Sequence, residues 1–315
     1  MAQPLNTSSL QLLYIFYPVV CYHSPPELNH ICMRISGHLR RVSALVFALA
    51  LFAPAALATT ASPAPSLDHG FRLMYDLDFP QAQQEFAAWQ QQHPDDPLGP
   101  SAEAAGLLFS ELNRLGVLEA QFFENDAAFQ ARKKLSPDPA ARTRFDAAIN
   151  RAVAQARQRL QTNPKDPDAL LALTLAAGLN ADYAALIEKR NIASLHFARE
   201  ATAWAQQLLA VSPSYYDAYV ATGSNKYIVG SLPAPFRWAL HLGGVKGNKE
   251  EGIADLQQTA DHGRYLAPFA RILLAIAYLR QHDRAKALAT LDSLHKDFPN
   301  NTLFVQEIAR LEPAR

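Results

Sequence analysis

The sequence predicts an all-α fold, an α-solenoid of antiparallel helical hairpins that is divergent and irregular in its middle. Three observations lead to this prediction. The chain is rich in Ala, Leu and Gln and has only 13 glycines, a composition that favours helices over sheet. Amphipathic segments end at recurring proline-containing stops. One stretch near the C-terminus also divides cleanly into two short helical patterns.

The stops divide the chain into units of unequal length. Each follows an amphipathic segment and offers Asp, Asn or Ser as an N-cap for the next helix, and its proline cannot continue the preceding one. The stops lie at residues 92–97, 162–168, 211–214 and 298–301. Their prolines are 70, 49 and 86 residues apart, so regular hairpins are expected only at the two ends of the array. The middle is expected to contain enlarged hairpins, with long helices at residues 137–160 and 191–209.

The clearest unit runs from Pro268 to Asn301. It reads as two helices with a break at residues 281–283, and the small side chains of Ala275 and Ala287 would let the helices approach closely. This pattern resembles one tetratricopeptide repeat (TPR) over about 34 residues. It departs from the repeat at Leu294, where the family usually has a small residue. The resemblance implies a binding surface for other proteins and no chemistry of its own.

A second unit at the start of the array, residues 67–94, matches the same repeat less fully. Gly70, Ala82 and Phe86 occupy the positions equivalent to Ala275, Ala287 and Leu291, and an aspartate falls at the turn between the two predicted helices. The chain is therefore expected to be a TPR-like helical domain over residues 67–315.

The N-terminal region has the layout of a secretory signal. Met33 is followed by three arginines, an apolar run over residues 42–57 and the small-residue site Ala56-Leu57-Ala58. We expect an upstream segment at 1–32 that is not translated, a signal peptide at 33–58 and a flexible linker at 59–66. The alternatives are an uncleaved membrane anchor and a buried hydrophobic helix. The run is short for a membrane span, which favours cleavage.

Charge and cysteine content exclude several functional classes for the expected mature chain. Both cysteines, Cys21 and Cys32, lie in the upstream segment, so disulfides, thiol catalysis and cysteine metal sites are not expected. Removing residues 1–58 leaves 26 basic and 28 acidic residues, a net charge of about −2. No basic footprint for nucleic acid is evident.

No enzyme chemistry is expected. The histidines of the mature chain do not pair with another ligand-type residue on a shared helical face, so no metal site is predicted. The glycine-rich run at 243–247 lacks a preceding strand and a Lys-Ser/Thr pair, so a helix end and loop is preferred to a phosphate loop. No nucleophile motif is evident, and no catalytic residue or cofactor is predicted.

The expected ligand site is a concave groove. In the family that the last unit resembles, ligands occupy a groove lined by the first helix of each hairpin. The resemblance places five residues of the last hairpin there: Phe269, Ile272, Ile276, Leu279 and Arg280. The Lys, Asn and Arg residues with which the chaperone-binding members clamp a terminal carboxylate are absent.

Four aromatic residues complete the candidate site. Tyr215 and Tyr219 are expected on one helix face, either as core of an enlarged hairpin or as a wall that binds an extended peptide or a lipid-like ligand. Phe236 and Trp238 belong to an apolar insert at 232–245 that is too apolar to stand freely in water. The insert either covers the groove or contacts a membrane surface, and a partner helix could fill the groove instead.

The expected function is that of an exported scaffold or adaptor, most readily in the periplasm, that binds a protein of the cell envelope. The alternative is a carrier or membrane-surface protein that binds a lipid-like or apolar ligand through the insert. An uncleaved signal would anchor the same protein in the inner membrane.

Overall fold

Helices make up most of the part of the chain that the structure describes, as predicted. The computed structural model describes residues 64–119, 135–232 and 247–312, together with residues 234 and 237. These residues form eleven α-helices and no β-strand. The helices are α1 Leu67–Tyr75, α2 Phe79–Gln92, α3 Leu98–Arg114, α4 Pro139–Thr162, α5 Pro167–Asp182, α6 Asn191–Val211, α7 Tyr219–Gly230, α8 Lys249–His262, α9 Ala267–Arg280, α10 Arg284–Asp297 and α11 Thr302–Leu311.

The helices pack as consecutive hairpins. Helices α1 and α2, α3 and α4, α5 and α6, α7 and α8, and α9 and α10 each contact one another, and each hairpin also contacts the next, while α11 covers the last one. The first helices of neighbouring hairpins touch in the N-terminal half, where α3 contacts both α1 and α5. This order confirms the prediction of a TPR-like array.

All four proline stops end their helices in the same way. The residue before each proline leaves the helix, with φ between −130° and −140° at His93, Asn163, Ser212 and Phe298. A proline ring clashes with a helical residue before it, so the helix ends one residue earlier still. Helices α4 and α6 therefore run to Thr162 and Val211, two residues beyond the predicted ends.

Polar caps fix where several helices begin. The predicted stops supply two of them: the side chain of Asp166 accepts a hydrogen bond from the Ala169 amide, and that of Asn301 accepts one from the Leu303 amide. The start of α4 was predicted two residues too early, because Asp138 is its N-cap and must lie outside the helix. The stop at 211–214 gives no side-chain cap; a 3₁₀ turn, Tyr216–Ala218, leads into α7 instead.

The two terminal hairpins pack as the repeat pattern predicts. A Cβ added at Gly70 would lie 2.3 Å from Cε1 of Phe86, so only glycine lets α1 approach α2 this closely. Ala82, one turn before Phe86, is fully buried. In the last hairpin Ala275 is 2% exposed and Ala287 is fully buried. Small residues therefore set the helix spacing at both ends of the array.

The hairpin of α7 and α8 is held closer still by glycines. A Cβ at Gly252 would lie 2.5 Å from the backbone nitrogen of Tyr227, and a Cβ at Gly223 would lie 2.9 Å from the carbonyl oxygen of Gly252. Backbone therefore meets backbone where these two helices cross.

Helix α5, with the π-helical turn Tyr183–Ile187 that continues it, is the central core helix. This segment is long and apolar enough to span a membrane by length and composition alone, but two thirds of its apolar window is buried inside the protein. It packs against α3, α4 and α6. These contacts explain its hydropathy as that of a core helix.

The two ends of the array meet, a feature that the sequence pattern did not predict. The Tyr75 hydroxyl at the end of α1 donates a hydrogen bond to the Tyr265 carbonyl oxygen at 3.1 Å. The side-chain Nδ2 of Asn301 donates one to the Tyr75 carbonyl oxygen at 2.7 Å. The rings of Phe71 and Tyr265 lie 5.2 Å apart. Arg264 and Asp68 form a two-bond ion pair across the same contact. The hairpin array therefore closes on itself.

Several predictions fall outside the described residues. The upstream segment, the signal peptide at 33–58 and most of the linker at 59–66 belong to this group. So do the side chains of Phe236 and Trp238 and most of the insert at 232–245. These stay predictions.

Candidate binding cavity

The inner side of the closed array forms a cavity with a volume of about 1180 Å³. Most of its lining comes from α1, α3, α5, α6, α7, α9 and α11, while the described residues of α2 and α4 contribute none. The cavity is therefore the inner, concave side of the hairpin array. Its walls are mainly apolar, with examples on five helices: Met74, Phe109, Leu195, Ile228 and Phe304.

The five groove residues predicted on the last hairpin all face this cavity. Phe269, Ile272, Ile276, Leu279 and Arg280 line one wall, all from α9. The ring of Phe269 packs edge-on against Phe109 of α3, with centroids 5.7 Å apart. Helix α3 thus supports the wall that α9 forms. Binding of a partner at these positions stays a prediction.

Tyr215 and Tyr219 do not line the cavity. The hydroxyl of Tyr215 donates to Oδ1 of Asp168 at 2.6 Å, and that of Tyr219 donates to the Pro213 carbonyl oxygen at 3.3 Å. The prediction that both tyrosines share a helix face was wrong, because Tyr215 lies before the 3₁₀ turn and Tyr219 begins α7. Burial and the bond to Asp168 raise the pKa of Tyr215. The Tyr215 bond thus joins the loop before α7 to α5, whereas the Tyr219 bond is local to that loop.

The apolar insert is described only where it begins. Leu232 is buried and lines the cavity, next to Val229 and Ser231. Phe236 and Trp238 lie outside the described residues. Their part in covering the cavity or contacting a membrane therefore stays a prediction.

A wall that sequence reasoning missed comes from α6. This helix is the second of its hairpin, and the groove was assigned to first helices only. Its inward residues recur every three or four positions, a spacing that marks one helical face. They are Ser194, Leu195, Ala198, Ala201 and Thr202. That spacing was the available signal; which side of α6 faces the interior depends on the closure of the ring.

One cavity-lining acid is unusual. Asp182 is the last residue of α5, and among the described residues its side chain has no hydrogen-bond or ion-pair partner. Burial raises the pKa of this carboxyl to about 7. By contrast, the carboxylate of Glu307, another lining residue, is paired with Arg310 through bonds that include one of 3.0 Å. Asp182 was not predicted as a site residue.

The backbone around Asp182 is held firmly. The π-helical turn that follows is closed by a hydrogen bond from the Glu188 amide to the Tyr183 carbonyl oxygen at 3.2 Å. Arg142 of α4 lies over the Tyr183 ring at 4.1 Å and pairs with Glu188 at 3.0 Å. Lys189 then takes a left-handed conformation with φ of 54°, which turns the chain into α6. The outer helix thus fixes the direction in which α5 presents its last residue.

Within the described part of the chain, no group of three or more His, Cys, Asp or Glu side chains is arranged to hold a metal ion. The arrangement offers shape, apolar surface and a few charges. Shape, apolar surface and a few polar groups are features that ligand-binding sites share.

Comparisons with known proteins add little to this description. No protein-family model matches the chain, and no curated protein matches it. Among solved structures, a thermophilic TPR protein from Thermus thermophilus is similar over 78% of this chain and 98% of its own, at 17% sequence identity and a TM-score of 0.39. The helix order, the hairpin packing and the small residues at the hairpin contacts show an array of consecutive helical hairpins.

Proposed function

We propose that this protein is an exported scaffold or adaptor that takes an apolar segment of a partner protein into its central cavity. The observation that carries this proposal is the large, mainly apolar cavity on the concave side of a helical-repeat array. Helical repeats build extended concave surfaces of this kind, and proteins commonly bind partner helices in apolar grooves.

The size of the cavity favours a protein segment over a small molecule. Its volume of about 1180 Å³ exceeds the roughly 300–1,000 Å³ typical of small-molecule sites. Apolar surface this extensive is costly to leave in contact with water, so an occupant would gain by covering it. An amphipathic helix of the partner would supply matching apolar side chains along one face.

The location in the cell envelope is part of the proposal. It is supported by the arginines, apolar run and small-residue site at 33–58. N-terminal sequencing of the protein recovered from the envelope fraction tests it. A chain that begins at or near Thr59 is expected. A chain that keeps residues 42–58 would indicate an inner-membrane anchor instead.

The apolar lining also supports a second candidate, a carrier of a lipid-like ligand or a membrane-surface protein. Liposome flotation distinguishes it from a scaffold when the intact protein is compared with a variant that lacks residues 232–245. A scaffold is expected to stay with the soluble fraction in both forms. Flotation of the intact protein alone would favour the membrane-surface function.

Site-specific photo-crosslinking tests the scaffold proposal. A photoreactive amino acid is placed at Ser224, which lines the cavity on α7, or at Gln258, which is exposed on α8. After irradiation of cells that make the protein, adducts with a partner protein are expected from position 224. Adducts confined to position 258 would show that partners bind the outer surface and would contradict the proposal.

A further inference from the structure

We propose that the segment entering the cavity carries a lysine or arginine, and that the Asp182 carboxylate binds this cationic side chain. The inference rests on the proposed function and goes further, because it names the chemistry of the partner. It identifies the partner segment as apolar with one basic residue, rather than as purely apolar or acidic.

The first support is the position of Asp182. Its side chain faces the apolar cavity and has no hydrogen-bond or ion-pair partner among the described residues. Asp182 is half-buried in an apolar wall, and a carboxylate that loses part of its hydration without a counter-charge is costly, so a basic group brought in by a ligand would reduce that cost. Charge-assisted hydrogen bonds between a carboxylate and a guanidinium or ammonium group are among the stronger polar contacts in proteins.

The second support is the local backbone. Asp182 lies where α5 passes into the π-helical turn, and such turns occur often at functional sites. Arg142 fixes this turn from outside through the Tyr183 ring and Glu188. Arg142 and Glu188 pair with each other, and Asp182 lines the cavity. The site is thus pre-organised, which lowers the entropic cost of binding.

The other charged and titratable groups of the cavity do not neutralise Asp182. Tyr75 and Tyr227 donate to backbone carbonyl oxygens, and Glu307 is paired with Arg310. Burial, and no neighbouring charge, accounts for the raised pKa of Asp182. Among the described residues, the charged and titratable groups that line the cavity besides Asp182 are Tyr75, Glu119, Lys189, Tyr227, Lys249, Arg280, Glu307 and Arg310.

A dependence on pH follows. Since the carboxyl of the empty protein has a pKa of about 7, it is mostly protonated at pH 6 and mostly ionised at pH 8. A cationic segment binds the ionised form. Its affinity is therefore expected to rise about tenfold between pH 6 and pH 8, while the affinity of an uncharged analogue does not.

The test uses a phage-displayed library of random 12-residue peptides, selected on the purified protein. Parallel selections use Asp182→Asn, the control Asp292→Asn at an exposed position of α10, and Ser224→Trp, which places a bulky side chain in the cavity. We expect the native protein and the Asp292 variant to enrich apolar peptides with one Lys or Arg. Asp182→Asn should lose the basic residue from its consensus, and Ser224→Trp should enrich none of these peptides.

An enriched peptide is then synthesised with Lys and with norleucine, and its affinity is measured by fluorescence anisotropy. The Lys form should bind the native protein at least about tenfold more tightly, and Asp182→Asn should remove that preference. Equal affinities, or a preference that persists in Asp182→Asn, would overturn the inference and leave the proposed function standing.

Other outcomes bear on the proposed function itself. Peptides that bind Ser224→Trp as well as the native protein lie outside the cavity, and an empty selection shows no peptide site; either result overturns both proposals. Dodecylammonium tests a small ligand. If it binds through Asp182 while no peptide is enriched, the occupant is a small amphiphilic cation and not a protein segment.

Discussion

The terminal hairpins and the middle hairpins of this protein use their residues differently. At the ends, α1–α2 and α9–α10 follow the repeat, with Gly70 against Phe86 and buried alanines between α9 and α10. In the middle, α5 runs into a π-helical turn and presents Asp182, without a partner among the described residues, to the cavity. The regular units at the two ends meet in the ring closure, and the irregular ones supply the distinctive polar group of the site.

The largest expected effect lies in the first terminal hairpin. Phe86 is fully buried and packs edge-on against Phe71, with ring centroids 5.5 Å apart. Phe86→Ala should lower the free energy of unfolding by about 3–5 kcal/mol, because it leaves a cavity where Gly70 cannot fill the space. Chemical denaturation measures this. Phe197→Ala, at a half-buried position of the middle helix α6, is the control and should cost clearly less.

The last hairpin should resist enlargement. Ala275→Trp is expected to lower the free energy of unfolding by about 1–3 kcal/mol, because the side chain is 2% exposed where α9 meets its neighbours. The matched control is Ala285→Trp, at an exposed position of α10. Thermal unfolding at equal temperatures for both variants would show that Ala275 does not set the spacing of these helices.

In the middle of the array, by contrast, a substitution at Asp182 should raise the free energy of unfolding. The folded-state pKa of Asp182 is about 7 against an ordinary 3.8, so the folded state binds a proton more tightly than the unfolded state. Stability contributed by this group is therefore present at low pH and is lost as pH rises from about 4 to about 7. The full shift corresponds to about 4 kcal/mol. Because the half-buried carboxylate keeps part of its hydration, Asp182→Asn should be more stable than the native protein at pH 8 by about 1–2 kcal/mol.

The measurement for Asp182 is urea unfolding at pH 4 and pH 8. The two proteins should have similar stability at pH 4 and differ at pH 8. If the two proteins are equally stable at both pH values, the Asp182 carboxylate is well solvated or paired. The middle and terminal hairpins would then not differ in their electrostatics.

The smallest effect is expected at the rim of the closure. Nη2 of Arg264 lies 2.7 Å from Oδ2 of Asp68, but both side chains are exposed. Asp68→Asn should change the free energy of unfolding by less than about 1 kcal/mol, because solvent screens exposed pairs. Denaturation at low and high salt measures it, with Asp292→Asn as the charge control. A loss of several kcal/mol would show that this pair, and not the buried contacts of Tyr75, Tyr265 and Asn301, holds the ring closed.

Much of the local structure could be predicted from the sequence. The prolines and their caps are local signals, since each acts within a few residues, so helix ends came within two residues at α4 and α6. The cavity-facing side of α9 followed from the repeat resemblance. The prediction for Tyr215 and Tyr219 failed because two residues four positions apart share a face only in a continuous helix. Here a 3₁₀ turn separates them, and the sequence spacing alone does not reveal that turn.

The sequence by itself determined the helices, the hairpin breaks and the close contacts at the two ends, because hydrogen bonding, proline geometry and helical periodicity act over short stretches. Only the tertiary structure decided that Tyr75 meets Tyr265 and Asn301, residues about 190 and 226 positions away. That closure depends on the summed packing angles of all the hairpins, which no single unit encodes. The same closure made a cavity of the groove and placed Asp182 within it.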